Sequence, residues 1–328
     1  MDIVFSGIQP TGSLHIGNYL GAIKNWIELQ SKYHCIFCVV DLHAITMPYN
    51  SDELTKNVYN TLASYLACDI DVSKNIVFRQ SDVPEHAELC WLLSCIVQHG
   101  KLNSMIQFKE KLAKNKEKTS IGLYTYPVLM ASDILLYKAD WVPVGNDQSQ
   151  HVELTREIAG TFNHRYNTQF FPEPKVLFNA NAARIMSLKN ASNKMSKSDF
   201  SEHSRINLSD NADIIRKKIA KATTDSTGSI IYDQRNRAEV ANLINVYTCF
   251  SDCSIDDVVN RYSGYGYAKF KSDLADIIVD AISPISIKLK ELLADYSYLS
   301  KILHNNAEKA KSIAAANIKE IKYIMGIR

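Results

Sequence analysis

The sequence predicts an α/β protein: a doubly wound parallel sheet followed by a C-terminal helical domain. Two observations carry this. Up to about residue 190, short β-like apolar runs alternate with helical patterns, the order in which strands and crossover helices build a parallel sheet. Beyond about Asp199 strand signals thin out, and from Asp210 to the end the pattern is mainly helical. A chain of 328 residues that is 46% hydrophobic has room for about two such units. We place them at residues 1–195 and 196–328.

The elements follow in order. Ile3–Phe5 reads as a strand. Leu14–Leu29 follows, with Ile16, Tyr19, Leu20, Ile23, Trp26 and Ile27 at helical spacing. Cys35–Val40 is a near-continuous apolar run, as expected of a strand covered on both faces. Leu54–Cys68 is an amphipathic helix, Ile76–Phe78 a strand and Glu85–Val97 a helix. Val142–Val144 is a short strand before Gly145, with a helix over Gln148–Phe162. The arrangement is Rossmann-like. In the second unit the helices are Ala212–Ala222, Ala238–Phe250, Asp256–Tyr262, Ala268–Leu293 and Leu299–Met325, with Ser283-Pro284 a point where the fourth divides.

Composition removes several classes. No stretch approaches the about 20 apolar residues of a membrane helix. The first residues read as a strand, with no basic or apolar leader pattern, so the expectation is a cytoplasmic chain, mature as written. Net charge is +2, from 37 basic and 35 acidic side chains, so nucleic-acid contacts would rest on local patches. Seven cysteines at irregular spacing argue against a disulfide framework. Cys35 and Cys38 form a CxxC, but on a strand they face opposite ways. Packed core cysteines are favoured over a metal or redox pair, and no protein-built metal site is expected.

Phe5-Ser-Gly-Ile-Gln-Pro-Thr-Gly-Ser-Leu-His-Ile-Gly-Asn18 joins the first strand to the first helix. Gly7 and Gly12 permit turn conformations and close approach of a ligand. Ser13 is a plausible N-cap, and the first free amides of the helix then favour an anion. His15 and Asn18 can donate to phosphate oxygens, and Gly17 leaves space for a base or ribose. Ser13-Leu14 stands where a P-loop requires Lys-Ser/Thr, which argues against that reading. An ordinary tight strand–helix turn remains the alternative.

Asn193-Lys-Met-Ser-Lys-Ser-Asp199 places two lysines three apart between hydroxyls. Such a loop suits a polyphosphate, the alternative being a solvated charged linker. Taken together, the two segments carry a resemblance. Pro10-Thr-Gly-Ser-Leu-His-Ile-Gly-Asn18 resembles the HIGH signature of class I aminoacyl-tRNA synthetases, and Lys194-Met-Ser-Lys-Ser198 is their KMSKS signature letter for letter. Asn18 stands where HIGH has its second histidine, which leaves His15 as the one imidazole of the motif.

Within that class the chain is most similar to the bacterial-type tryptophanyl-tRNA synthetases, over essentially its whole length. The segments are Phe5–Pro10, Tyr126-Pro-Val-Leu-Met-Ala-Ser-Asp-Ile-Leu-Leu-Tyr137, Val142–Arg156 and Ala183–Leu188. A helix over Tyr126–Tyr137 sets Tyr126, Met130, Asp133, Ile134 and Tyr137 on one face. An indole is a large apolar plane with one N–H donor, and a carboxylate in an apolar pocket meets both demands. A helix-surface acid or an ion-pair member is the other reading of Asp133.

The resemblance implies that L-tryptophan is activated by ATP with Mg²⁺ and transferred to the 3′ end of tRNA(Trp). It assigns catalysis to His15, Gln9, Lys194 and Lys197. ATP would be held by Gln9, Pro10, Thr11, Gly17 and Asn18 of the turn, by Gly145, Asn146 and Asp147, by Ile185, and by Lys194, Met195, Ser196, Lys197 and Ser198. Tryptophan would meet Asp133, Tyr126, Met130 and Ile134, then Phe5, Gly7, His43, Val142, Val144 and Gln148. A homodimer is implied, with no membrane or DNA partner. Lys101–Lys118, with six lysines, and Arg216-Lys-Lys-Ile-Ala-Lys221 are basic segments that either contact tRNA phosphates or are solvated faces. A tyrosyl-tRNA synthetase, or an inactive synthetase-like RNA-binding protein, are the competing readings.

Overall fold

The structure is a computed structural model, described here for residues 1–103, 105, 120–145, 148–177, 184–197, 199–251 and 253–327. Among these residues five strands form one sheet: β1 (Ile3–Ile8), β2 (His34–Val39), β3 (Ile76–Arg79), β4 (Trp141–Pro143) and β5 (Lys175–Leu177). Their order is β3-β2-β1-β4-β5, and every pairing is parallel. The chain winds outward from β1 in one direction and returns through β4 in the other. The crevice at that reversal, outside the carboxyl ends of β1 and β4, is where open α/β sheets bind ligands. The predicted strands are all present. β5 is an addition: three residues at the sheet edge, too short to show a pattern in the sequence.

The first helical stretch is broken into α1 (Ile16–Asn18), a π-helical turn over Tyr19–Ile23, and α2 (Lys24–Leu29). Next come α3 (Asp41–Ala44), α4 (Ser51–Ala67), α5 (Glu85–Ser94), α6 (His99–Asn103), α7 (Ile121–Leu135) and α8 (Ser149–Arg165). The rest of the chain supplies α9 (Ala212–Ala220), α10 (Ala238–Phe250), α11 (Ile255–Arg261), α12 (Tyr267–Leu293) and α13 (Tyr296–Met325). The helical character of the second half is as the sequence predicts. One expectation fails: α12 runs unbroken through Pro284. Buried Ile282 and Ile285 flank the proline, so packing holds the helix across the amide that proline cannot donate.

Alternation along the strands separates two cores. Val4, Phe37 and Val77 face Trp26, Leu62 and the helices α9–α12. Phe5, Ile36, Cys38 and Phe78 face α5, α7 and α8. Cys35 and Cys38 thus lie on opposite faces, both buried thiols. The last helix joins the two cores. Leu299, Ile302 and Leu303 of α13 lie in the first, and Ala307, Ala310, Ala314, Ile318 and Ile321 in the second. It packs along edge strand β3, and Asn317 Nδ2 donates to the Leu136 carbonyl at 2.8 Å. Among the described residues no helix is long and apolar enough to cross a membrane.

Candidate functional site

At the carboxyl ends of β1 and β4 a cavity of about 660 Å³ opens. Its walls come from the glycine-rich turn, α3, α7, the segment after β4 and the lysine loop.

The turn is built around His15. The cap of α1 is His15, not Ser13: its Nδ1 accepts the Gly17 N–H at 3.1 Å, and the Asn18 side-chain oxygen accepts the His15 N–H at 3.1 Å. This reciprocal pair is a capping box. It gives Asn18 a definite role, as the acceptor of the His15 N–H. With Nδ1 accepting, a neutral His15 carries its proton on Nε2. Burial, then the charges of Lys197, Arg205 and Lys194, push the imidazole down to about 3, so His15 is a neutral donor at physiological pH. Gly17 makes room for the ring: a Cβ there would lie 3.0 Å from His15 Cε1 and Nδ1. Gly7 serves the sheet instead, where a Cβ would meet Val40 Cγ1 at 2.8 Å. Gly12 has φ +131°, a conformation that favours glycine.

The lysine loop lies directly against this turn. Lys197 Nζ donates to the Gln9 carbonyl at 2.8 Å, across 188 residues of chain. Lys194 is exposed at the rim, and Met195 is buried beneath. The loop is fixed from both sides. Upstream, Met195 N donates to the Ile185 carbonyl at 3.0 Å, and Asn242 of α10 bonds both the N–H and the carbonyl of Met186, at 2.9 and 3.0 Å. Downstream, the chain returns beside the turn: Ile16 N donates to the Ile206 carbonyl at 2.9 Å, and Leu208 N to the Leu14 carbonyl at 2.8 Å. Removing the amide with Asn242→Ala takes the partner from two part-buried backbone groups of Met186, so we expect a loss of about 1 kcal/mol in chemical denaturation. An unchanged denaturation midpoint would show that the clamp contributes nothing.

Burial pushes the Lys197 ammonium down to about 7. The charged form therefore dominates below that pH and is lost above it. The affinity of the free protein for a polyphosphate should therefore fall as pH rises through about 7, because the cation that attracts the anion is lost. The fall should disappear in Lys197→Arg, whose guanidinium stays charged. A pH profile identical in the variant would contradict the assignment.

The other end of the cavity is apolar around one carboxylate. α7 presents Tyr126, Met130, Asp133 and Ile134 to the space, joined by Phe5, Val142 and Val144. Asp133 is 2% exposed. It accepts from His43 Nε2 at 2.8 Å, Gln80 Nε2 at 2.6 Å and His86 Nδ1 at 2.6 Å. Burial alone would raise its pKa, but the bonds from His43 and His86 outweigh this and hold it below the usual carboxylate range. It is therefore ionised, and it is neither a surface acid nor half of a simple ion pair. Tyr126 is held by His151 Nε2 at 2.8 Å.

Most of the predicted residues meet here. Gln9, Thr11, His15, Gly17, Asn18, Gly145, Ile185, Lys194, Met195 and Lys197 line the cavity, as do Phe5, Gly7, His43, Tyr126, Met130, Asp133, Ile134, Val142, Val144 and Gln148. Pro10 and Ser196 do not border it. Pro10 is buried in the turn, where it shapes the backbone. Asn146, Asp147 and Ser198 lie outside the described residues, as does most of Lys101–Lys118. Arg184 borders the cavity without having been predicted. Of the basic segment in α9, Lys218 is buried and bonded to Asp210 at 2.6 Å, which removes it from any phosphate surface.

Residues 2–283 match the family model described as tRNA synthetases class I (W and Y). The chain is 50% identical over 323 residues to the tryptophan--tRNA ligase of Rickettsia conorii, covering 98% of each chain. Its structure is similar to that of the tryptophanyl-tRNA synthetase from Mycoplasma pneumoniae, with TM-score 0.88, 31% identity, and 100% and 98% of the two chains covered. It is also similar to the Campylobacter jejuni tryptophanyl-tRNA synthetase complexed with ADP and tryptophan, with TM-score 0.84, 35% identity, and 99% and 100% covered.

Proposed function

Because this chain belongs to the tRNA synthetases of class I that serve tryptophan and tyrosine (W and Y), we propose that the cavity is the active site of a tryptophan--tRNA ligase. The enzyme activates L-tryptophan with ATP, releases pyrophosphate, and transfers tryptophan to the 3′ end of tRNA(Trp). The observation that carries this reading is the ionised Asp133 in an apolar slot, continuous with a cavity end lined by His15, Lys194 and Lys197.

An ionised amino-acid carboxylate is already a nucleophile, so the reaction needs no general base. The protein has to align it with the α-phosphorus and stabilise charge on the leaving pyrophosphate. His15 Nε2–H and the amides of the glycine-rich turn face the α-phosphate. Lys197, bonded to the Gln9 carbonyl at 2.8 Å, and Lys194 at the rim take the leaving group. Gly145 borders the ribose, and Ile185 with Met195 borders adenine. Gln148 orients the ammonium or carboxylate of the substrate. Mg²⁺ would be held by phosphate oxygens and water, where it offsets phosphate charge.

Residues 1–195 would form the catalytic unit and 196–328 the anticodon-binding region. Lys217 on α9 and Lys221 just past its end are exposed and suited to RNA phosphates, whereas Arg216 is paired with Asp276 at 3.1 Å. The working assembly is a cytoplasmic homodimer. A charging assay tests the reading: we expect stable attachment of tryptophan to a tRNA(Trp) transcript and none of tyrosine to a tRNA(Tyr) transcript. The reverse pattern, or no charging at all, would overturn it.

A further inference from the structure

Asp133 is surrounded by more polar machinery than a simple acceptor requires. Its Oδ1 takes two donors, Gln80 Nε2 and His86 Nδ1, both at 2.6 Å. Its Oδ2 takes one, His43 Nε2 at 2.8 Å. A carboxylate oxygen offers about two acceptor sites, so Oδ1 is saturated and one site remains, on Oδ2. Asp133 borders the cavity, whereas Gln80 and His86 do not.

Both hidden donors are fully buried, and each is oriented by a second bond. The Gln80 side-chain oxygen accepts the Leu42 N–H at 3.1 Å. This fixes which end of the amide faces Asp133, and it ties the carboxylate to α3, the helix that carries His43. His86 Nε2 lies 2.8 Å from the Tyr137 hydroxyl. An ionised carboxylate only accepts, so His86 donates from Nδ1. A neutral ring then accepts at Nε2, and the Tyr137 hydroxyl donates to it. Tyr137 is itself held by stacking on Phe5, with ring centroids 5.7 Å apart, and Phe5 borders the cavity.

We infer that the Tyr137–His86 pair and Gln80 are positioning residues for substrate selection. They occupy Oδ1 completely, so that Asp133 presents its single remaining acceptor site, on Oδ2, to the indole N–H. Without them the carboxylate has free acceptor sites in two directions and can rotate about its last bond. Selection for N–H would then weaken even though Asp133 is intact. The inference rests on the assignment of Asp133 to the indole.

The test compares tryptophan with β-(3-benzothienyl)alanine, in which sulfur replaces the N–H, in ATP–pyrophosphate exchange. For His86→Leu we expect the selectivity ratio in kcat/KM to fall by about 10–100-fold, the scale of one lost hydrogen bond to a charged group. The change should lie in KM for tryptophan, with KM for ATP unaltered. His86→Asn, whose Nδ2 can replace the Nδ1 donor, should restore most of the ratio. Tyr137→Phe, which removes one oxygen and tests the point should His86→Leu fail to fold, should lower the ratio by a smaller factor. Equal losses for both amino acids, or a rise in KM for ATP of the same size, would mark a merely structural role and overturn the inference. A wild-type protein that does not prefer tryptophan over the analogue would instead overturn the indole assignment of Asp133.

Discussion

Lys197→Ala should slow adenylate formation by about 10²–10³-fold, the usual cost of removing one charge-stabilising donor, while tryptophan's dissociation constant changes by less than about twofold. The asymmetry follows from place. Lys197 lies on the loop beside Gln9 and Gly12, with Gly12's missing Cβ only 3.6 Å from Lys197 Cβ. The amino-acid slot is formed by other elements, α7 and the ends of β1 and β4. Charge on the leaving pyrophosphate grows during the reaction, so the ammonium acts most strongly in the transition state. Presteady-state adenylate formation and equilibrium tryptophan binding separate the two quantities. An unchanged rate, or a loss of tryptophan affinity as large as the loss of rate, would contradict the assignment.

Asp133→Asn should reduce discrimination against phenylalanine by about 10²-fold or more, out of the roughly 10⁴–10⁵ that a site built for an N–H donor supplies. The asparagine keeps the shape but offers one acceptor oxygen in place of two. Its amide also turns N–H groups toward some of the three donors, His43, Gln80 and His86, that now meet the carboxylate. The acceptor oxygen is then claimed by buried donors, because an unpaired donor costs more than an unmet substrate. Phenylalanine loses nothing by the change, since it has no N–H to place. Pyrophosphate exchange with each amino acid measures the ratio, and unaltered selectivity would contradict the indole assignment.

Much of the fold was legible because it rests on local pattern. The strands of β1 to β4 are marked by apolar runs, and α7 places Tyr126, Met130, Asp133 and Ile134 on one face, as their spacing requires. β5 has three residues and no such mark. The π-helical turn at Tyr19–Ile23 breaks a stretch that reads as one continuous helix. The site was legible where a motif names it, in the glycine-rich turn and the lysine loop. What escaped depends on tertiary contact. Gln80 and His86 are ordinary polar residues after β3 until Asp133, from a distant helix, arrives between them. The position of Gln80 just past the end of a strand was the one available signal. Ser13 and His15 can both cap a helix, and the choice was made by the antiparallel pairing of His15 with Asn207. Lys218 reads as a solvated lysine, yet it is buried because Asp210 offers a carboxylate at 2.6 Å.

In the proposed reading one cavity selects an indole amino acid at Asp133 and joins it to ATP between His15 and Lys197. ATP–pyrophosphate exchange measured with each of the twenty amino acids tests this most directly. Exchange with tryptophan, far above that with tyrosine or phenylalanine, is the result predicted. Exchange with tyrosine alone would reassign the slot, and no exchange with any amino acid would mean that the cavity binds without catalysing.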